Sequence, residues 1–317
     1  LPAEEPGLHR LDIFDGQLSW KAVMTLIHVF PGQGAQRVGM GRDVFARFPH
    51  LVTQAESQLG WSLRELCESG PTEKLSDTRF TQPAVYVVSA LSYLALVRDT
   101  GEIPTMLAGH SLGEYTALFA GGAYDFFTGL EIVSERGRLM SEAPSGAMAA
   151  VIGLDKDAVR DALLRRPGHD RVELANLNLA EQIVIAGIPA ALEQAIPALK
   201  EAGAMTVTRL PVGGAFHSSL MTEPAKRFRT FLSGYRFNRL RIPTLSNVTA
   251  APHEQTTLHE LLGRQMTEPV NWTGCMDHLL RQPDPEIVDV GPDKVLARLL
   301  DKHRAAAERL EGEETAR

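Results

Sequence analysis

The stretch Pro104-Thr105-Met106-Leu107-Ala108-Gly109-His110-Ser111-Leu112-Gly113-Glu114-Tyr115-Thr116-Ala117-Leu118-Phe119-Ala120 decides how this chain is built. Pro104 to Ala108 is a short apolar run of the kind that forms a buried strand. Two glycines then bracket Ser111, and Glu114 to Ala120 has the composition of a helix. Strand, tight turn and helix in direct succession fit the G-x-S-x-G elbow, whose glycines let the backbone turn sharply enough to hold a serine hydroxyl out at the strand end. The turn feeds a helix N-terminus, and its unpaired amides, notably that of Leu112, can donate hydrogen bonds to an oxyanion.

Outward from the elbow the pattern extends to a larger α/β body. Val23 to Phe30 is apolar, rich in β-branched residues and stopped by Pro31-Gly32, which predicts a second buried strand. Pro83 to Arg98 reads as a helix with proline at its start, where a missing N–H costs nothing. Ile242 to Ser246 and Ile287 to Val290 read as later strands of the same body. Between Gly146 and Leu210 the order changes to six elements: strand Met148–Gly153, helix Lys156–Arg165, strand Arg171–Asn176, strand Gln182–Ala186, helix Ala190–Ala202 with a possible kink at Pro197, and strand Met205–Leu210. The order β-α-β-β-α-β is ferredoxin-like and closes its own small core. The expected architecture is therefore a large α/β-hydrolase-like subdomain with a parallel sheet (residues 21–145 and 211–300) carrying an inserted ferredoxin-like subdomain (146–210). Residues 1–20 read as a linker cut from a longer polypeptide. Leu296 to Leu310 reads as a charged, largely exposed helix, with residues 301–317 as a charged tail.

Composition narrows the function classes. The chain has 317 residues, 44% hydrophobic and 22% charged, which suits about two domain-sized globular units. Its net charge of -7 comes from intermixed acidic and basic residues, so there is no basic stripe to bind a nucleic acid backbone. No stretch approaches the ~20 uninterrupted apolar residues of a membrane helix, and no signal pattern opens the chain, so a soluble, cytoplasmic protein is expected. Cys67 and Cys275 stand far apart without metal-ligand spacing and read as buried small hydrophobes of a reduced protein. His253 and His259 are off one helix face and H-E-x-x-H is missing, so no metal is expected.

A serine hydroxyl needs a base within hydrogen-bond reach. Of ten histidines His217 is best placed, in the small-residue loop Gly213-Gly214-Ala215-Phe216-His217-Ser218-Ser219 where the chain returns from the insertion. His110 adjoins the serine, but neighbouring side chains on a tight turn point apart. The turn Pro31-Gly32-Gln33-Gly34-Ala35-Gln36 fails as a dinucleotide fingerprint, because Arg37 stands at the third glycine position. It can instead supply a second backbone N–H, that of Gln33, to the same oxyanion.

Several separated segments together resemble one family, the malonyl-CoA:acyl carrier protein transacylases and the acyltransferase domains of fatty-acid and polyketide synthases. They are Phe30-Pro31-Gly32-Gln33-Gly34-Ala35-Gln36, Thr81-Gln82-Pro83-Ala84, Gly109-His110-Ser111-Leu112-Gly113-Glu114, Arg136-Gly137-Arg138-Leu139-Met140, Gly214-Ala215-Phe216-His217-Ser218 and Val290-Gly291-Pro292. In the small subdomain, Ala175-Asn176-Leu177-Asn178 and Gln182 to Gly187 also look like the family. The resemblance spans about Met24 to Leu300.

The resemblance implies Ser111 as nucleophile, His217 as base and the Gln33 and Leu112 amides as oxyanion donors. It implies a Ser–His dyad whose imidazole is oriented by a main-chain carbonyl, here that of Gln265, so a missing acidic third member is no objection. Gln82 resembles a polar pocket residue. Arg136, in the Arg-Gly-x-x-Met pattern, stands where a guanidinium holds the free carboxylate of malonyl in a two-pronged hydrogen bond, with Arg138 as its alternative. Phe216 resembles the malonyl-selective form of the histidine loop, where a ring crowds a 2-methyl branch; Gly214 departs from the histidine often found there. Leu112 is compatible with malonyl. The implied reaction takes malonyl from malonyl-CoA to an acyl carrier protein through a covalent acyl-serine, with other synthase modules as further partners and no cofactor held permanently. The alternatives are an acyl hydrolase on the same scaffold and a catalytically idle docking domain.

Overall fold

In the computed structural model, which describes residues 9–14, 17–22, 24–165 and 171–315, the strand expected before Pro31 is the middle of a parallel sheet. In chain order, β1 (His9–Phe14) and β2 (Gln17–Ala22) form a two-stranded antiparallel hairpin, and β3 (Thr25–Phe30) follows. The stretch read as a linker thus contains paired strands. Four short helices come next, α1 (Arg42–Arg47), α2 (Pro49–Leu59), α3 (Leu63–Ser69) and α4 (Thr72–Ser76). Then come α5 (Thr78–Thr100), β4 (Met106–Gly109), α6 (Leu112–Ala120) and α7 (Phe126–Ser141).

Helix α5 corrects the sequence expectation at its start. It begins five residues before Pro83, with the Asp77 carboxylate accepting from the Arg79 N–H as its N-cap. Pro83 is therefore inside the helix, where it removes one backbone hydrogen bond. Burial offsets that loss, since Pro83 and the run Ala84 to Leu91 are all buried. This helix is long and apolar enough by length and composition to cross a membrane, but 72% of its most apolar window lies inside the protein, as expected of a core helix.

The next elements are β5 (Ala147–Ile152), α8 (Lys156–Leu164), β6 (Val172–Leu179), β7 (Gln182–Gly187), α9 (Pro189–Glu201) and β8 (Thr206–Arg209). They form a four-stranded antiparallel sheet in the order β6-β7-β5-β8, the ferredoxin-like arrangement. Alternation along β5 explains its place. Ala147, Ala149 and Val151 join the core under α8 and α9, whereas Met148 faces the main core together with Ala175, Val184 and Ala186.

The chain continues through α10 (Thr222–Leu232), α11 (Leu258–Arg264), α12 (Trp272–Leu280), β9 (Pro285–Asp289) and α13 (Val295–Thr315). The parallel sheet has the order β4-β3-β9. Ile242 to Ser246 does not form a full strand. It flanks β4 through one parallel bridge, Leu107 to Thr244, because Pro243 lacks an N–H and the chain turns back from Leu245 to pair with Pro252. Residues 301–315 of the expected tail 301–317 continue α13, whose first turns bury Leu296, Leu299 and Leu300, and the last two residues lie outside the described residues.

Candidate active site

The elbow forms where β4 runs into α6, beside the end of β3. His110 donates its backbone N–H to the Phe30 carbonyl (2.9 Å), and Gly113 donates to the His110 carbonyl (2.9 Å). A Cβ at Gly113 would collide with the Phe30 carbonyl, so a side chain there would push the elbow off the sheet. Ser111 sits at the tip with φ 52°, in the left-handed region that most side chains avoid.

His217, which the sequence places 106 residues later, is brought to the serine: Ser111 Oγ and His217 Nε2 are 2.8 Å apart. The other ring nitrogen, Nδ1, lies 2.7 Å from the Gln265 carbonyl. A carbonyl only accepts, so Nδ1 carries the proton and Nε2 is left as the acceptor for the serine O–H. Burial, and then the positive charge of Arg136, push the His217 pKa down to about 3. The imidazole is neutral at physiological pH and ready to accept a proton.

Arg136, on α7, is 1% exposed. It donates from Nη1 to Gln82 Oε1 (2.8 Å), and from Nη2 to Gln265 Oε1 (3.0 Å) and to Ser111 Oγ (3.2 Å). Its plane lies over the Tyr115 ring, and its Nε has no partner. Among the described residues no acidic side chain lies within ion-pair distance of it. Arg138 behaves differently. It points outward to Glu135 and Glu142 and is held by them.

Of the remaining expected residues, Gln82 meets Arg136 directly. Gln82 is buried, with Nε2 3.2 Å from Met140 Sδ. Gln33 is anchored by its side chain to Thr78 Oγ1 at the start of α5. A Cβ on its neighbour Gly32 would lie 3.5 Å from the Leu112 nitrogen, which puts this turn against the N-terminus of α6, where the first amides have no partner within the helix. Phe216 is buried, and its ring occupies the space a side chain at Gly214 would need, 2.5 Å from a Cβ there. His110 does point away from the serine, as expected. Its Nε2 is 2.8 Å from Asn178 Oδ1 in the small subdomain, and its ring packs edge-on against Trp272.

Sequence reasoning missed a layer of polar residues under the elbow. Asn247 accepts from the Ser111 N–H (2.6 Å) and donates to the Gly109 carbonyl (2.7 Å). The Gln265 side chain donates from Nε2 to the Ser111 carbonyl (2.9 Å) and to Glu114 Oε2 (2.8 Å). Glu114 also accepts from the Asn247 N–H and lies 2.7 Å from His253 Nε2. The one available signal was Glu114 itself, a carboxylate in a largely apolar helix.

Taken together, a hydroxyl, a neutral imidazole and a buried guanidinium without an ionic partner meet beside the N-terminus of α6, an arrangement suited to acyl transfer from an acid-bearing thioester. A family model described as the acyl transferase domain matches residues 27–314. The polyketide biosynthesis malonyl CoA-acyl carrier protein transacylase BaeC of Bacillus velezensis is 43% identical over 87% of this chain and 96% of its own length. The crystal structure of malonyl CoA-acyl carrier protein transacylase from Burkholderia pseudomallei superposes with a TM-score of 0.85 at 40% identity, over 89% of this chain and 99% of that one. A malonyl-transacylase in complex with a type II polyketide synthase acyl-carrier protein superposes at 0.83, with 34% identity over 87% and 92%. On this match and this geometry, the chain belongs to the acyl transferase domain family, the family of the malonyl CoA-acyl carrier protein transacylases.

Proposed function

We propose that the protein transfers malonyl from malonyl-CoA to the phosphopantetheine thiol of an acyl carrier protein, in polyketide or fatty-acid biosynthesis, through an ester on Ser111. The observation that carries this reading is the buried guanidinium of Arg136, held by two neutral amide oxygens and set 3.2 Å from a hydroxyl that is itself 2.8 Å from a neutral imidazole. A carboxylate is the partner such a cation lacks, and malonyl supplies one next to its thioester.

In the first half-reaction the Ser111 oxygen attacks the thioester carbonyl and its proton passes to His217 Nε2. The Gln33 and Leu112 amides stabilise the oxyanion. The C–S bond breaks, and His217 returns the proton to the departing coenzyme A sulfur. Malonyl binding assists this step, because its carboxylate offsets the Arg136 charge that depresses His217, raising the basicity of the imidazole as the substrate arrives. In the second half-reaction a carrier thiol gives its proton to His217 and attacks the ester carbonyl, the C–O bond to Ser111 breaks, and His217 returns the proton to the serine oxygen. Coenzyme A and the phosphopantetheine arm belong to the substrates. The relative bound to an acyl-carrier protein supports the choice of acceptor.

Incubation with malonyl-CoA alone should add one malonyl mass to the protein, and Ser111→Ala should abolish the adduct. The ester should persist in buffer and discharge rapidly onto added carrier protein. An adduct retained by Ser111→Ala removes the serine from the mechanism. Rapid release of free acid that carrier protein does not divert would make the protein a hydrolase.

A further inference from the structure

The polar layer beneath the elbow is organised around one carboxylate. We propose that Glu114 is a positioning residue for substrate selection: through the Gln265 amide it fixes Arg136 in the orientation that receives the acyl carboxylate. The inference rests on the function proposed above.

Glu114 is fully buried on α6 and accepts from three donors. These are His253 Nε2 (2.7 Å) on Oε1, and the Asn247 N–H (3.0 Å) and Gln265 Nε2 (2.8 Å) on Oε2. The Asn247 N–H can only donate, which makes the Glu114 Oε2 an acceptor. Together with the Ser111 carbonyl, which also accepts from Gln265 Nε2, it turns the Gln265 NH2 inward and leaves Oε1 on the far side, 3.0 Å from Arg136 Nη2. The flipped amide would set oxygen against carboxylate and NH2 against guanidinium, two mismatched contacts where no water can relieve them.

Arg136 depends on that orientation. Two amide oxygens, of Gln82 and Gln265, and the Ser111 hydroxyl accept from it, and its Nε is unpartnered. Burial pushes the Arg136 pKa down, and Glu114 is among the neighbours that act against it. Gln265 itself divides its duties. Its main-chain carbonyl orients the base, and its side chain orients the cation. Of Gln265, Glu114 bonds only the side chain; what it does to Ser111 through Gln265 and Asn247 is common to malonyl and acetyl, so its effect on the preference between them runs through Arg136.

The test measures acylation of Ser111 by malonyl-CoA and by acetyl-CoA, read by intact mass on the full chain, for the parent, Glu114→Gln, Arg136→Ala and the double variant. Glutamine keeps the volume of Glu114 but offers donors as well as acceptors, so it removes one of the two acceptors that hold the Gln265 amide and leaves only the Ser111 carbonyl. Glu114→Gln should lower the malonyl-over-acetyl preference about 10- to 100-fold, the scale of a misplaced binding group. It should lower it no further when Arg136 is already alanine. An unchanged preference, or a second fall in the double variant, overturns the proposal. Gln265→Leu keeps the main-chain carbonyl and removes the amide, so it must show the same loss of preference. A parent-like preference in that variant overturns the proposal even if Glu114→Gln fails to fold. A parent that takes no malonyl refutes the proposed function; a selective parent with an equally selective Glu114→Gln refutes only this inference.

Discussion

Replacing Arg136 by alanine tests the substrate assignment most directly, and the structure sets the size of the effect. A malonyl carboxylate seated on a guanidinium that is 1% exposed loses a desolvated, charge-assisted pair. Such losses run to about 2–5 kcal/mol, which is roughly 30- to 5,000-fold in the acylation rate constant. Acetyl has no carboxylate to lose. It forfeits only the 3.2 Å hydrogen bond from Nη2 to the Ser111 oxygen, worth about 1 kcal/mol, or roughly fivefold. The malonyl-over-acetyl preference should therefore fall by about one to three orders of magnitude. A second signature accompanies it. Arg136 is the second cause, after burial, of the low His217 pKa, so its removal should move the acid limb of acetyl acylation to higher pH. The assay is single-turnover acylation across pH with both thioesters, beside a thermal melt, because the variant leaves the Gln82 and Gln265 oxygens without their donor. Equal losses for the two substrates, with an unmoved acid limb, would refute the reasoning and make Arg136 a structural residue.

In the parent protein the neutral base should survive acidification. Acylation should hold its rate from pH 8 to pH 5, and an acid limb centred near the ordinary histidine value of about 6.5 would refute the assignment of His217 as a base depressed to about 3. The same depression has a stability sign. As pH falls below about 6.5 the unfolded chain takes up this proton before the folded one does, so the parent should lose stability toward pH 4 more steeply than His217→Gln, read from denaturant midpoints. Gly113→Ala should destabilise the fold by about 3 kcal/mol or more, because its Cβ meets the Phe30 carbonyl; a parental unfolding midpoint would show that the elbow can shift at little cost.

The elbow was legible because its signal is local. Two glycines at fixed spacing, a strand before and a helix after, appear in 17 consecutive residues and need no tertiary information. The insertion was legible for the same reason, since its six elements alternate within one stretch of chain. Where tertiary context decides, the reading slipped. Pro83 suggested a helix start, but Asp77 caps that helix five residues earlier and burial of the following turns carries the proline inside. Ile242 to Ser246 has a strand's composition, yet Pro243 and the turn back to Pro252 leave it a single bridge. The polar layer was beyond sequence reasoning because its members lie far apart in the chain. Glu114 reaches His253 across 139 positions, and Gln265 reaches Ser111 across 154.

That layer also explains how the site tolerates its own backbone. Ser111 and His217 both sit at positive φ, 52° and 59°, and a non-glycine residue in that region costs on the order of 1–3 kcal/mol. Such strain persists only where the surroundings over-determine it. At Ser111 they do: Asn247 takes its N–H, Gln265 takes its carbonyl, and Glu114 holds both of those residues. At His217 the ring is tied to the Gln265 carbonyl. Val270, five residues beyond Gln265, exchanges backbone hydrogen bonds with Ala175 and Leu177 of β6, and His110 is tied to Asn178 on the same strand. The small subdomain is therefore bonded to the chain next to the nucleophile and next to the residue that orients the base. β6 is thus tied both to the neighbour of Ser111 and to the segment that follows Gln265, so its placement bears on the two residues that stand 2.8 Å apart.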